Sequence, residues 1–411
     1  MNVSSLKLAF RILVRRKVFT AISLVGITLT LVVLVIATAI LDNSFAPGGP
    51  EPRLDRTLMV KTIGLNGPHG TGTISPGWGF LQQTIRNLPN AELVSVYAFP
   101  AVAVIYDGSR RIESQVKQTD GDYWRILQFH FVEGGPYSEA DNQADRAVVV
   151  VSETLRDQIF GRQHVVGRAI NVGDRRYRII GVVSPVSITR DAAYGRMWAP
   201  IGSINSEERT DIVGRFNALV LARSRADIPA LQREFQERVN RIPITNPNEF
   251  TSIRAGLDTA FESFARDLVD NRREHATLIV QGAFAGVALL FMILPALNLI
   301  TLNLSRILER APEIGVRKAF GAPSSALVTQ FVVENVLLTL IGGAIAFVFA
   351  LVVVRELAGT VPYIDGELSL NFRVFAYGML VAIFFGILSG VYPAWKMSRL
   401  DPVNALRGGS L

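Results

Sequence analysis

Apolar residues gather in four long runs, 18–41, 276–302, 326–354 and 372–395, and the 230 or so residues between the first two alternate apolar and polar positions as a globular domain does. At 1.5 Å of rise per residue, each run forms a helix long enough to cross a hydrocarbon core of about 30 Å. Pro295 lies inside the second run and is expected to kink it. Asn298, polar at depth, is expected to bond a neighbouring helix or the freed backbone. Ala37-Thr38-Ala39 offers a cleavage-like triplet, but the length of the first run favours an uncleaved signal anchor. Ahead of it, Leu6, Phe10, Leu13 and Val14 share one helical face, which reads as a short amphipathic helix on the cytoplasmic membrane surface, with a cytoplasmic extension of the first span as the alternative.

The intervening residues, 43–275, read as mixed α+β. They open on a Pro47-Gly48-Gly49-Pro50 linker, and 64–79 is a second Gly/Pro-rich loop. Strand-like runs fall at 58–63, 94–106, 111–118, 147–151, 168–172 and 175–183, the last two joined by a tight turn at Gly173-Asp174. Helices are expected at 78–87, 153–160 and 228–241. A polar amphipathic helix over 250–273 is expected to run into the second span.

Charge orients these elements. The chain carries +7 overall, with 49% hydrophobic residues and a mean hydropathy of +0.31. Three segments beside the apolar runs, 1–17, 302–325 and 396–411, hold twelve basic and three acidic residues, so the remainder is slightly negative. Basic excess on one side of the membrane places these segments in the cytoplasm. It also explains the high pI without nucleic acid. The expected fold class is therefore a membrane α-helical protein of four transmembrane helices, with a mixed α+β extracytoplasmic domain inserted between the first and second spans. Its expected order is amphipathic helix 1–17, span 18–41, extracytoplasmic domain 42–275, span 276–302, cytoplasmic loop 303–325, span 326–354, short outer loop 355–371, span 372–395 and cytoplasmic tail 396–411. Both termini are then in the cytoplasm of a multi-pass protein of the cytoplasmic membrane.

The chemistry of catalysis is missing from the sequence. There is no cysteine, which removes disulfides, thiolate metal sites and Cys nucleophiles. The four histidines, at 69, 130, 164 and 275, lack metal-ligand spacing. No Gly-Lys pair occurs, so there is no Walker A loop and no P-loop route to ATP hydrolysis. Gln330 and Glu334 lie one turn apart in the third run, and Glu334 is expected at an interhelical or interfacial position rather than as an ion carrier. Two small-xxx-small pairs, Gly282/Gly286 and Gly386/Gly390, allow close helix approach. Packing within one subunit is the plainer expectation for them, and a subunit interface the alternative.

The most informative stretch is the loop between the second and third runs. Glu309-Arg310 leads to Pro312-Glu313-Ile314-Gly315-Val316-Arg317-Lys318-Ala319-Phe320-Gly321. Pro312 suits a first helical position and Gly321 a helix stop. Glu313 complements the helix N-terminus, Arg317 and Lys318 the C-terminus. The loop reads as a short capped cytoplasmic helix.

This run resembles the MacB/FtsX-type permease family, whose hallmark is an ER-x-x-EIG-(I/V)-RKA-x-GA segment followed by a span opening QF-x-x-E, as at Gln330-Phe331 and Glu334. The ending Tyr392-Pro393-Ala394, then Asp401-Pro402 and Ala405-Leu406-Arg407, is similar to the family's. Residues 149–183 resemble its extracytoplasmic module more loosely, and Pro312 departs from the family's usual polar residue. The resemblance implies a permease that couples ATP hydrolysis on a separate chain to motion of its periplasmic domain. The implied partners are an ABC ATPase in two copies, which binds the ATP and Mg, a second permease subunit, a periplasmic adaptor of the membrane-fusion type, and membrane lipid. It implies that Glu309, Arg310, Glu313, Ile314, Arg317, Lys318 and Gly321 form the ATPase-coupling element. The function implied is extrusion of a substrate from the periplasmic side. Lipoprotein release, control of a cell-wall hydrolase, or a membrane-anchored scaffold without an ATPase stand as alternatives.

Overall fold

The structure, a computed structural model, describes residues 17–68, 70–107, 110–202, 204–205, 207–244, 248, 250–269, 275–309, 324–360 and 372–398. These fall into two compact units. One is built from residues 43–281, the other from 17–42, 282–360 and 372–398.

The second unit is helical. Its helices are α1 (Lys17–Phe45), which ends inside the other unit, α8 (Ala276–Glu309), α9 (Ser324–Thr360) and α10 (Phe372–Ser398). Two segments are long and apolar enough to cross a membrane, Thr20–Phe45 and Val332–Glu356, and α8 and α10 carry the shorter apolar stretches Ala276–Phe291 and Phe375–Leu388. Ile27 and Leu31 of α1 pack against Leu338 and Ala346 of α9. Close approach there depends on a glycine: a Cβ at Gly342 would lie 2.9 Å from Ile27, and Thr28 Oγ1 donates to the Gly342 carbonyl at 3.2 Å. Phe347 packs at a tilt against Phe375, centroids 4.7 Å apart, joining α9 to α10.

The first unit is the α+β domain. Its strands are β1 (Thr57–Val60), β2 (Ile63–Gly67), β3 (Gly70–Ile74), β4 (Ala91–Ala98), β5 (Ala101–Asp107), β6 (Arg110–Thr119), β7 (Phe131–Gly134), β8 (Val148–Ser152), β9 (Ala169–Val172), β10 (Arg175–Val183), β11 (Met197–Pro200), β12 (Phe216–Ala222), β13 (Ser252–Ala255) and β14 (Asp258–Thr259). Its helices are α2 (Trp78–Thr84), α3 (Asp122–Ile126), α4 (Glu139–Gln143), α5 (Glu153–Phe160), α6 (Ile228–Asn240) and α7 (Ala260–Val269).

The main sheet runs β11-β8-β10-β9-β5-β6-β4-β12-β1-β14, and β11 pairs again with β6. That second pairing closes six strands into a ring filled by Ile105, Val149, Val151, Ile170, Ile179 and Met197. β4, β12, β1 and β14 continue it as an open sheet, β7 pairs with β10, and β13, β2 and β3 form a separate three-stranded sheet. One face of the open sheet carries α2 and α6, whose Leu231, Phe235 and Val239 recur every four residues toward the core. The other face carries an aromatic cluster around Trp124, Phe129 and Trp198.

Local chemistry explains most boundaries. Ser152 caps α5 through the Leu155 N–H, and Gly161, at φ 65°, ends it. Gly173, at φ 57°, makes the tight β9–β10 turn. The expected run 94–106 is two strands, because Phe99-Pro100 turns the chain. The expected helix over 250–273 is corrected: 252–255 pair with β2, 258–259 with β1, and the helix begins only at Ala260. A Thr259–Glu262 capping box fixes that start, with Glu262 accepting from the Thr259 N–H at 2.8 Å and Thr259 Oγ1 from the Glu262 N–H at 3.3 Å.

Candidate functional site

The expected coupling element lies outside the described residues from Arg310 through Glu313, Ile314, Arg317, Lys318 and Gly321. Glu309 is the last residue of α8. The two glycine pairs separate. A Cβ at Gly386 would lie 2.7 Å from Thr339 Oγ1 and 3.8 Å from the Asn335 carbonyl, so α10 meets a polar stripe of α9 there. Asn335 and Thr339 are buried on that stripe, and Glu334, one residue earlier on α9, is buried as well. At Gly282 and Gly286 an added Cβ meets no described atom within 4 Å. Gly390 lies on α10, with its surroundings outside the described residues.

Sequence reading missed a cluster of buried charge in the α+β domain. It forms where the residues just after α1, the 187–193 loop and α7 converge. The last turn of α1 is anchored first: Phe45 packs edge-on against Phe261 and at a tilt against Phe264 of α7, centroids 5.3 and 5.2 Å away, and Asn43 Nδ2 donates to Thr189 Oγ1 at 3.2 Å. Arg190 then holds the segment that follows. It donates to the Glu51 carboxylate at 2.9 Å and to the Ala46 carbonyl at 3.3 Å. Arg190 is 8% exposed and Glu51 4%, so the pair is effectively dry.

Lys117 of β6 reaches the same loop from beneath. It is 1% exposed and donates to the carbonyls of Asp191 and Ala192, both at 2.9 Å, with its ammonium 5.3 Å from the Tyr97 ring centroid. Tyr123 adds a third bond, donating to the Ala192 carbonyl at 2.8 Å. Lys61, at the end of β1, bridges Asp191 at 2.7 Å and Asp267 of α7 at 3.4 Å. Asp258 of β14 pairs with Arg266 of α7 at 3.1 Å. The loop is thus tied by charge to the exit of α1 on one side and to α7, the last helix before α8, on the other.

Burial sets the electrostatics. It pushes the Glu51 carboxyl up against the opposing pull of Arg190, and pushes the Asp258 carboxyl up to about 6 despite Arg266. It draws the Lys117 ammonium down to about 8. At Lys61 burial also disfavours charge, but Asp191 and Asp267 outweigh it and hold the ammonium above its usual range. Asp191 responds in kind, held low by Lys61 and Lys117 against its partial burial. A set of groups whose charges are retained only by one another has a sharply preferred arrangement, because separating any pair leaves an uncompensated charge. The cluster offers no nucleophile–base pair, and among the described residues no group of His, Asp and Glu has the geometry of a metal site.

Two family models match the chain. Residues 20–238 match the MacB-like periplasmic core domain family and 285–402 the FtsX-like permease C-terminal family. The first match covers more than half of the chain, which therefore belongs to the MacB/FtsX-type ABC transporter permeases. Among its relatives is the macrolide export ATP-binding/permease protein MacB of Escherichia coli (strain K12), 26% identical over 98% of this chain and 60% of that protein. The protein of the same name from Salmonella typhi is 27% identical over 73% of this chain and 44% of its own length. The chain spans about half the length of the curated relatives it matches. The solved periplasmic region of MacB from Actinobacillus actinomycetemcomitans aligns at 12% identity with a TM-score of 0.37, covering 52% of this chain and 94% of that one.

Proposed function

We propose that this chain is the permease subunit of an ATP-driven ABC system of the inner membrane, and that its buried charge cluster passes motion from the spans to the extracytoplasmic domain. In this reading α1, α8, α9 and α10 are four spans, with both termini in the cytoplasm. For α8 and α10 the support is helices of 34 and 27 residues around apolar stretches. A partner ATPase, in two copies, binds ATP and Mg. The loop containing Glu313 and Arg317 docks on it, and a second permease copy packs alongside, with the open glycine face of α8 suited to that contact. Closure of the ATPases displaces the spans, and the domain follows, extruding a substrate from the periplasmic side with an adaptor protein.

The observation that carries the reading is the tie of α1's exit and α7 to one loop through Glu51, Arg190, Lys117, Asp191 and Lys61. A domain that was only tethered to its spans would have no use for this expensive arrangement, since hydrophobic residues of similar volume stabilise as well or better. The relatives are named for macrolide export, which makes macrolide efflux the first transport assay for this chain.

The test separates docking from transmission. Glu313→Arg or Arg317→Glu is expected to abolish co-purification with the ATPase while leaving membrane insertion intact. The paired change Glu51→Gln with Arg190→Met is expected to leave the ATPase bound and to lower extrusion at least tenfold. Full extrusion by the paired variant would remove the cluster from the mechanism, and unchanged co-purification in the loop variants would remove the loop.

A further inference from the structure

β4 pairs with β12 along its whole length but with β6 at a single position, Tyr97 opposite Thr119. Beyond that point β6 has ended, and Asp120 closes the ladder. Its N–H donates to the Val96 carbonyl at 3.2 Å, and its carboxylate accepts from the Val96 N–H and the Ser95 hydroxyl, both at 2.7 Å. In an antiparallel strand the backbone groups facing one neighbour recur every second residue, so those of Val94 point the same way as those of Val96. Among the described residues no strand lies against β4 there.

This free edge lies along a cleft of about 910 Å³. Glu92, Leu93 and Val94 all line it, and since they alternate between the two faces of the sheet, the strand edge itself must form the floor. The two walls differ. Trp78, Ile85 and Leu88 make one wall apolar, with Arg86 and Arg209 on the same side. The other carries Asp120, Asp122 and Glu139. Glu139 is fixed in place by the Gly121 N–H at 2.8 Å, where the backbone passes so close that a Cβ on Gly121 would collide with residue 139. Glu139 makes no ion pair among the described residues, and Asp122 is matched only by the exposed Arg125 at 2.7 Å.

We propose that this cleft docks an extended segment of a partner protein, which adds as a strand to the Glu92–Val94 edge. A strand sends alternate side chains to opposite faces, so the two walls select an alternating sequence. Apolar residues face Trp78 and Leu88, and Lys or Arg faces Asp122 and Glu139. Main-chain bonds supply affinity and the two walls supply specificity, the mode of strand addition at a sheet edge. The inference rests on the edge and the cleft alone, and stands or falls apart from the coupling mechanism.

The probe is a synthetic hexapeptide of alternating Val and Lys, titrated against the full chain in mild detergent by calorimetry. Saturable binding is expected, weakened about tenfold or more when alternate amides of the peptide are N-methylated. Val94→Pro removes a free-edge donor while sparing the β12 ladder, and is expected to weaken binding as strongly. Because proline could disturb the fold, Asp122→Asn with Glu139→Gln serves as an independent arm, expected to weaken the Val/Lys peptide several-fold and to leave a Val/Ser peptide unchanged. No saturable binding, equal binding of the N-methylated peptide, or indifference to the acidic-wall variant would each overturn the proposal.

Discussion

Lys117 reads as an outward residue because Ile112, Ser114 and Val116 mark the inner face of its strand. In the structure Ile112 and Ser114 are buried, and then Lys117 and Thr119 are. The alternation switches phase where β6 leaves β5 and takes up β11 and β4. A strand exchanging neighbours in a closing barrel is a tertiary event, and no local pattern announces it. The Glu51–Arg190 pair is invisible for a similar reason: its members are far apart in the chain and both sit in loops. Each has a measurable consequence. A lysine that titrates near 10.5 when unfolded and about 8 when folded leaves the unfolded chain holding more protons between those values. Unfolding free energy therefore rises with pH across pH 8 to 10.5, by on the order of 3 kcal/mol from this group. Lys117→Met is expected to abolish that rise, as read from denaturation midpoints at pH 7.5 and 10. Glu51→Ala strands Arg190 as a buried cation and is expected to cost about 3–5 kcal/mol, with much of the loss recovered by adding Arg190→Met. Additive losses in the double variant would show that the two do not act as a pair.

Elements with strong local signals were readable and those shaped by pairing were not. α5 follows from Ser152 and Gly161, and the β9–β10 hairpin from Gly173-Asp174. The segment before α7 misled because its apolar spacing fits a helix, yet Ser252–Ala255 is claimed by β2 as a sheet partner. Its true start was written in Thr259-Ala260-Phe261-Glu262, a capping box. Thr259→Ala is expected to lower stability by about 1 kcal/mol, visible as a shift in thermal midpoint. The glycine pairs make a contrast between helices. Gly386→Leu drives a side chain into Thr339 of α9 and is expected to lower the thermal midpoint of the monomer sharply. Gly282→Leu, with open space around it, is expected to leave that midpoint unchanged. Equal effects at both positions would contradict the packing of α10 on α9.

At the scale of the whole molecule, the hydrophobic runs and the basic segments beside them carry the organisation, because a bilayer imposes its length and charge rules on the sequence directly. The motif residues carry the family. What they leave out is the buried charge that ties Glu51, the 187–193 loop and α7 together within the α+β domain. The claim that this cluster transmits work is open to a direct distance measurement. The chain has no cysteine, and Arg162 is 92% exposed, so Arg162→Cys accepts a single spin label per copy. In the complex of the chain with its ATPase, the distance between the two labels is expected to change on ATP binding. The change should disappear in the Glu51→Gln, Arg190→Met background while the ATPase remains bound. A label separation that ignores ATP, or that responds equally with and without the buried pair, would contradict the account.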